Sequence, residues 1–312
     1  MRKRAKSLSI RKSLSSENIL NKSFRRWNRV APTFGHLDFS AFFIAVVSGI
    51  IITVPYDVNN PSGSIQEILL TDESASFFRS IHYWSAQFFL IFVLLHIIEY
   101  FLIGREEKIT AGSWLRITLS LPAIIYVMLS GYILKGDAEG TMALRIFAGL
   151  LENIPFIGSQ LGTFLLGPGS NMQVIYIHHA ATATIFIWIV IAEHVRLFWP
   201  RLIPLAYIFS TSVLLAVFVP APLTWSSYQG DKGPWYFVGF QEILHWISRP
   251  GIAITAFFIF LSIFFIIPRV EKKWRSRLKI AMLFLLISYG AFSAAGWFFR
   301  GENWLFILPW SR

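Results

Sequence analysis

The chain has 312 residues, 55% of them hydrophobic and 14% charged, against about 45–50% and about 25% in soluble domains. Its 28 Lys and Arg outnumber 17 Asp and Glu for a net charge of +11, which in so apolar a chain points to sorting of basic residues across a membrane and away from nucleic acid. With no cysteine, disulfides, zinc–thiolate sites, protein-ligated iron–sulfur clusters and thioether-linked cofactors are excluded, and seven histidines remain as transition-metal ligands.

Residues 1–30 form a basic, Ser-rich segment with no apolar signal core behind it, read as a cytoplasmic arm. Stretches apolar enough to cross a bilayer follow at 37–56, 79–103, 113–134, 173–198, 202–220, 250–268 and 279–299. Two connections are long. The first, 135–172, is rich in Gly and Pro around an amphipathic stretch at 141–151; the second, 220–249, ends in the helical-looking Gln241–Trp246. With the arm inside, the inner segments 1–30, 104–116, 196–201 and 269–279 hold 21 basic residues and the outer ones 7. This places the amino terminus in the cytoplasm, the carboxyl terminus outside and both long connections outside, in what reads as a bacterial inner membrane. The expected fold is an all-α integral membrane protein. Its domains are the arm (1–30), a four-helix bundle (31–200) and a three-helix part (201–312), with surface helices in the outer loops.

His82 and His96 share one span, 14 residues apart, which on a helix is about 40° from whole turns and about 21 Å of rise. A second span carries His178, His179 and His194. His179 is 15 residues from His194, roughly 60° out of line, and His178 is 16, roughly 160° out, so His179 is the better partner and His178 the alternative. Both spans run the same way, so His82 meets His179 near one face and His96 meets His194 near the other. Ordinary buried histidines are the plain alternative. Four at matched depths on two spans instead suit two planar metal macrocycles, each held by two axial imidazoles, and haem fits the apolar lining.

Several motifs, FGHLDF, SGIIITVPY, RSIHYWSAQFF with LLH, GYILKGD and LLENIPFIG, occur in the order of a known family. Over about residues 27–250 the sequence resembles the cytochrome b family of quinol:cytochrome c oxidoreductases, of the bc and b6f type. The resemblance implies two non-covalent haem b groups, one on His82 and His179 and one on His96 and His194, with quinone or quinol as substrate. It implies that Gly35, Gly49 and Gly131 let haem approach the backbone, with Ile117 where a fourth glycine is expected, and that Arg79 neutralises a propionate. Expected partners are an iron–sulfur protein, a c-type cytochrome or both, in a complex whose cytochrome b is a homodimer.

Two departures stand out. Glu99 occupies a position that is usually basic in the family, with Arg196, Arg105 or Arg29 as compensators or a role in proton uptake. The family's Pro-Glu-Trp-Tyr quinol-oxidation motif is matched by Gly233, Pro234, Trp235 and Tyr236, without the glutamate. Tyr236, Glu242 and His245 are then the candidate catalytic residues, Glu242 and His245 sharing a helical face, with Asp231 a further substitute. The expected function is a membrane di-haem cytochrome b exchanging electrons with a quinone pool. One alternative is a non-bifurcating subunit with one quinone site and a multihaem cytochrome partner; another, of a different class, is a haem-free transporter or scaffold.

Overall fold

A computed structural model of the chain describes residues 33–104, 109–223, 232–247, 249–301, 304–308 and 310. The basic arm, Arg29, Arg105 and Asp231 lie outside the described residues. Among the described residues the secondary structure is helical, apart from one antiparallel bridge between Arg300 and Phe306.

The first helix, α1 (Phe34–Ile52), stops earlier than the apolar run suggests. Pro55 bars the helical conformation for the residue before it and offers no N–H, so the run 53–56 leaves the helix. A short helix α2 (Pro61–Thr71) starts with proline at its first position and the Asn60 side chain accepting from Gly63 N at 3.2 Å. Helix α3 (Glu73–Ile103) is capped by Asp72, which accepts from Ala75 N, and ends at Gly104 in the left-handed region, φ 72°. Then come α4 (Ala111–Ile133), two surface helices α5 (Ala138–Glu152) and α6 (Gly158–Leu166), and α7 (Met172–Val195). The carboxyl-terminal part holds α8 (Leu202–Phe218), α9 (Trp235–Trp246), α10 (Pro250–Ile266) and α11 (Lys272–Phe298). Among the described residues six helices are long and apolar enough to span a bilayer, and α8 with 17 residues is at the lower limit. Each of the seven expected spans therefore has its helix, while α2 and α6 were not anticipated.

Helix α1 packs along α3, α4 packs along α7, and these two pairs make the bundle. Helix α8 covers α3 and α1, α10 lies against α4, and α11 supports α9. The middle of the bundle is a buried apolar layer of Phe42, Ile44, Phe89, Val93, Ile124, Val127, Met128 and Ile187. Trp114, 2% exposed, ties α10 to α4: its ring stacks on Phe264 at 4.9 Å and its indole N–H donates to the Phe264 carbonyl at 3.0 Å.

Candidate metal centres

Helix α7 is not a uniform α-helix. Residues His178–Thr182 form one π turn, in which the Ala183 N–H bonds back to the His178 carbonyl, and the Thr184 hydroxyl donates to the His179 carbonyl at 2.5 Å. A π turn takes one extra residue into the helix. The 15 residues from His179 to His194 therefore act as about 14, matching the spacing of His82 and His96 on α3. The 60° misalignment expected for a plain helix is absorbed there.

The result is two facing pairs of rings. His82 and His179 have centroids 6.2 Å apart, and His96 and His194 have centroids 6.1 Å apart. An imidazole centroid lies roughly 1.1 Å from its nitrogens and metal–imidazole bonds are roughly 2.0 Å, so two rings on opposite sides of one metal sit roughly 6.2 Å apart. Both pairs fit that separation. His178 is elsewhere: its Nε2 lies 2.8 Å from the Phe164 carbonyl and its ring packs on Phe164 and Tyr126.

In the first pair, Nδ1–H of His82 donates to the Ala45 carbonyl at 2.8 Å and that of His179 to the Val127 carbonyl at 2.9 Å, with Ser130 Oγ 3.1 Å away. Anchoring Nδ1 leaves Nε2 as the coordinating nitrogen. The glycines make room first for the imidazoles. A Cβ on Gly131 would sit 2.7 Å from His179 Cε1, one on Gly49 3.0 Å from His82 Cε1, and one on Gly35 2.8 Å from His96 Cε1. Ile117, at the fourth position, lines the cavity around His96 and His194 together with Asp38, Tyr100, Ser120 and Trp114. Glu99 lies 3.8 Å from His96 Nδ1. Arg196 ends α7 in the left-handed region, φ 55°.

Arg79 is 9% exposed and donates to the Ala221 and Pro222 carbonyls at 2.9 and 2.8 Å, which fixes the chain leaving α8 onto α3. Those bonds engage both terminal nitrogens of the guanidinium, in a group with five N–H donors in all.

Helix α9 caps the end of the bundle nearest the first pair. The Tyr236 hydroxyl donates to the Met128 carbonyl at 2.9 Å, its own carbonyl accepts from the Tyr289 hydroxyl, and burial pushes its phenol up from the ordinary value. The Trp235 indole donates to Gln87 Oε1 at 2.7 Å. Glu242 and His245 are not brought together. His245 is exposed, whereas Glu242 is 1% exposed and accepts from Arg300 Nη2 at 2.6 Å, Arg300 Nε at 3.0 Å, Trp304 Nε1 at 2.6 Å and Trp246 Nε1 at 2.8 Å. Burial alone would raise the Glu242 carboxyl, but hydrogen bonds from Arg300, Trp246 and Trp304 outweigh it and hold the group below the ordinary carboxylate range. Sequence reasoning treated Arg300 only as a topology charge; a partner 58 residues away has no local signal. Glu139 was also missed. It accepts from the Tyr132 hydroxyl at 2.5 Å and from Lys135 Nζ at 3.1 Å.

A model of the family described as Cytochrome b/b6/petB matches residues 25–199, more than half of the chain but short of the 27–250 expected from motifs. A cytochrome b6 of Auxenochlorella protothecoides is 30% identical over 136 residues, 43% of this chain and 63% of the relative. A cytochrome b6 of Mesostigma viride is 30% identical over 135 residues, with the same coverage. The chain thus matches less than two thirds of the length of these relatives. A solved structure titled hyperthermophilic respiratory Complex III has the same fold, with a TM-score of 0.65 and 18% identity over 89% of this chain and 85% of that one.

Proposed function

Because the chain belongs to the cytochrome b family, we propose that it is the di-haem electron-transfer subunit of a membrane quinol:cytochrome c oxidoreductase-like complex. The observation that carries this reading is the two facing imidazole pairs, each spaced for one metal and each backed by glycine. Among the described residues there is no group of three or more His, Cys, Asp or Glu that could hold a metal ion, which suits a macrocycle that brings its own equatorial nitrogens.

In this reading His82 and His179 would hold one haem b and His96 and His194 the other. Bound there, haem supplies a one-electron iron couple. The chain's own residues do the rest. Ala45 and Val127 carbonyls orient the first pair of rings through Nδ1. The layer of Phe42, Phe89, Val127 and Ile187 keeps water out between the two sites. The 21 to 7 distribution of basic residues supports an orientation with the first pair and α9 toward the outside and the second pair toward the cytoplasm, so the two sites would lie toward opposite faces of the membrane. Residues 31–200 would form the haem bundle, and residues 201–312 the part that carries the outer quinol loop with Trp235 and Tyr236. Partner redox subunits, an iron–sulfur protein, a c-type cytochrome or both, would take electrons on the outer side, and a second copy of the chain completes a homodimer.

The test is a reduced-minus-oxidised spectrum and a haem extraction on the purified protein. Two non-covalent haems per chain with b-type bands are expected. A chain made with adequate haem that holds none is a transporter or scaffold instead. Reduction by a quinol analogue separates a quinone-linked subunit from one that is not.

A further inference from the structure

Quinol oxidation sheds protons, and the family's motif glutamate is absent from this chain. Two buried or half-buried carboxylates near α9 could take its place, and their surroundings differ. Glu242 accepts from a guanidinium and two indoles. A proton placed on it would neutralise one side of its buried ion pair with Arg300, 8% exposed. A guanidinium cannot answer by losing its own proton.

Glu139 lies in the first turn of α5, and its side chain is 23% exposed. Its partners are the Tyr132 hydroxyl at 2.5 Å and Lys135 Nζ at 3.1 Å. Lys135 also pairs with Asp137 at 2.9 Å, and Asp137 caps α5 through Gly140 N at 2.8 Å. Two carboxylates therefore share one ammonium. Protonating Glu139 leaves Lys135 still paired with Asp137, which also lies within electrostatic range of Arg79, so the ammonium keeps a carboxylate partner. The relay also reaches the right place. Tyr132 follows Gly131, the residue backing His179, and its hydroxyl lies 3.5 Å from the Lys232 carbonyl at the approach to α9. Tyr132 and Tyr236 pack on one apolar cluster with Leu129, Ile133 and Phe237. Tyr83, beside His82, lies within electrostatic range of Glu139 and Tyr236. The groups facing Glu139 are thus Tyr132, Lys135, Asp137 and Tyr83.

We propose that Glu139, with Tyr132 as its relay, is the proton acceptor for quinol oxidation at the outer site. The proposal rests on the quinone-linked reading above. Oxidising one quinol to quinone breaks two O–H bonds and releases two protons and two electrons. The electrons pass singly to one-electron acceptors of the ferric-haem and partner metal-centre classes. One proton goes from a quinol hydroxyl to the Tyr132 oxygen as the Tyr132 proton moves to Glu139 Oε2, and leaves from there to water; the other goes to water directly.

The experiment follows haem reduction by decylubiquinol and by a menaquinol analogue in the haem-loaded membrane complex, with infrared difference spectra of the same samples. Glu139→Gln should slow quinol-driven reduction roughly 10²-fold and remove a protonated-carboxyl band, while haem content and dithionite reduction stay as in the wild type. Glu152→Gln, an exposed carboxylate at the far end of α5, should change neither. If Glu139→Gln loses its haem, Tyr132→Phe carries the test, with slower reduction supporting the relay and an unchanged rate overturning it. A Glu139→Gln protein reduced within about twofold of an active wild type, its infrared band intact, overturns the proposal alone. A wild type that holds haem but accepts electrons from neither quinol overturns the quinone-linked reading and the proposal with it.

Discussion

At the His82/His179 pair both Nδ1 atoms end on main-chain carbonyls of neighbouring helices, and both rings lie against glycines. At the His96/His194 pair Gly35 backs His96 alone, and the other surroundings are side chains: Glu99 stands 3.8 Å from His96, the Tyr100 ring lies 6.1 and 6.4 Å from the two imidazoles, and Ile117 replaces a glycine. Ring spacing is nearly the same in both. What differs is what sets ring orientation. Helix packing sets it in the first pair, so it changes only if a backbone moves. In the second pair, exchangeable side chains surround the rings, and substitution can tune the site without disturbing the bundle.

The largest effects come from removing the rings. His82→Leu or His179→Leu should abolish one haem signal and His96→Leu or His194→Leu the other, halving the haem extracted per chain. A variant that keeps both signals would break the pairing. Next is the ion pair at the α9 end. Glu242→Gln breaks the buried ion pair with Arg300, at a cost of about 3–5 kcal/mol, read as earlier thermal loss of the haem spectrum. Because the Glu242 carboxyl is held below its ordinary value, its stabilisation is full above the unfolded carboxylate pKa of about 4.3 and is lost as pH falls through the lower folded value. Wild-type stability should therefore drop at acid pH, and the Gln variant should lack that part of the drop.

Glycine substitutions come third. At Gly131 an added methyl meets His179 Cε1 at 2.7 Å, and the ring cannot retreat without giving up the Val127 carbonyl. Gly131→Ala should cost about 1–3 kcal/mol and weaken haem retention. Gly149→Ala is the control, since no atom lies within 4 Å of its added methyl; in the last turn of α5 it should stabilise by up to about 0.5–1 kcal/mol. Equal behaviour of the two would show that the glycines do not shape the site.

The spans and histidine pairs were legible because each depends on local periodicity: seven apolar runs and two spacings near whole turns. The π turn at His178–Thr182 was not. Nothing in HHAAT distinguishes it from an α-helix, and the packing of His179 against α4 selects it. The helix at Pro61–Thr71 escaped because its Asn-Pro start precedes only 11 residues of weak amphipathicity. Glu242 was read as a candidate catalytic residue on a face shared with His245. That reading counted positions along α9 alone, whereas its partners Arg300 and Trp304 arrive from beyond α11. Arg79 likewise carried a motif signal, but its carbonyl partners at 221 and 222 are visible only in three dimensions.

The smallest expected effect tests the second pair directly. A carboxylate close to a ligand ring favours the oxidised, more positive form of a bound metal, so Glu99→Gln should raise the midpoint potential of the second haem. The side chain is 30% exposed, so solvent screens much of the interaction. Roughly 1 kcal/mol remains, on the order of 40 mV for a one-electron couple. The first haem, about 20 Å away along the helices, should shift far less. Redox titration with both bands resolved checks this. Equal shifts in both bands would mean that Glu99 acts on the bundle as a whole, and the contrast between a main-chain-held and a side-chain-tuned site would fail.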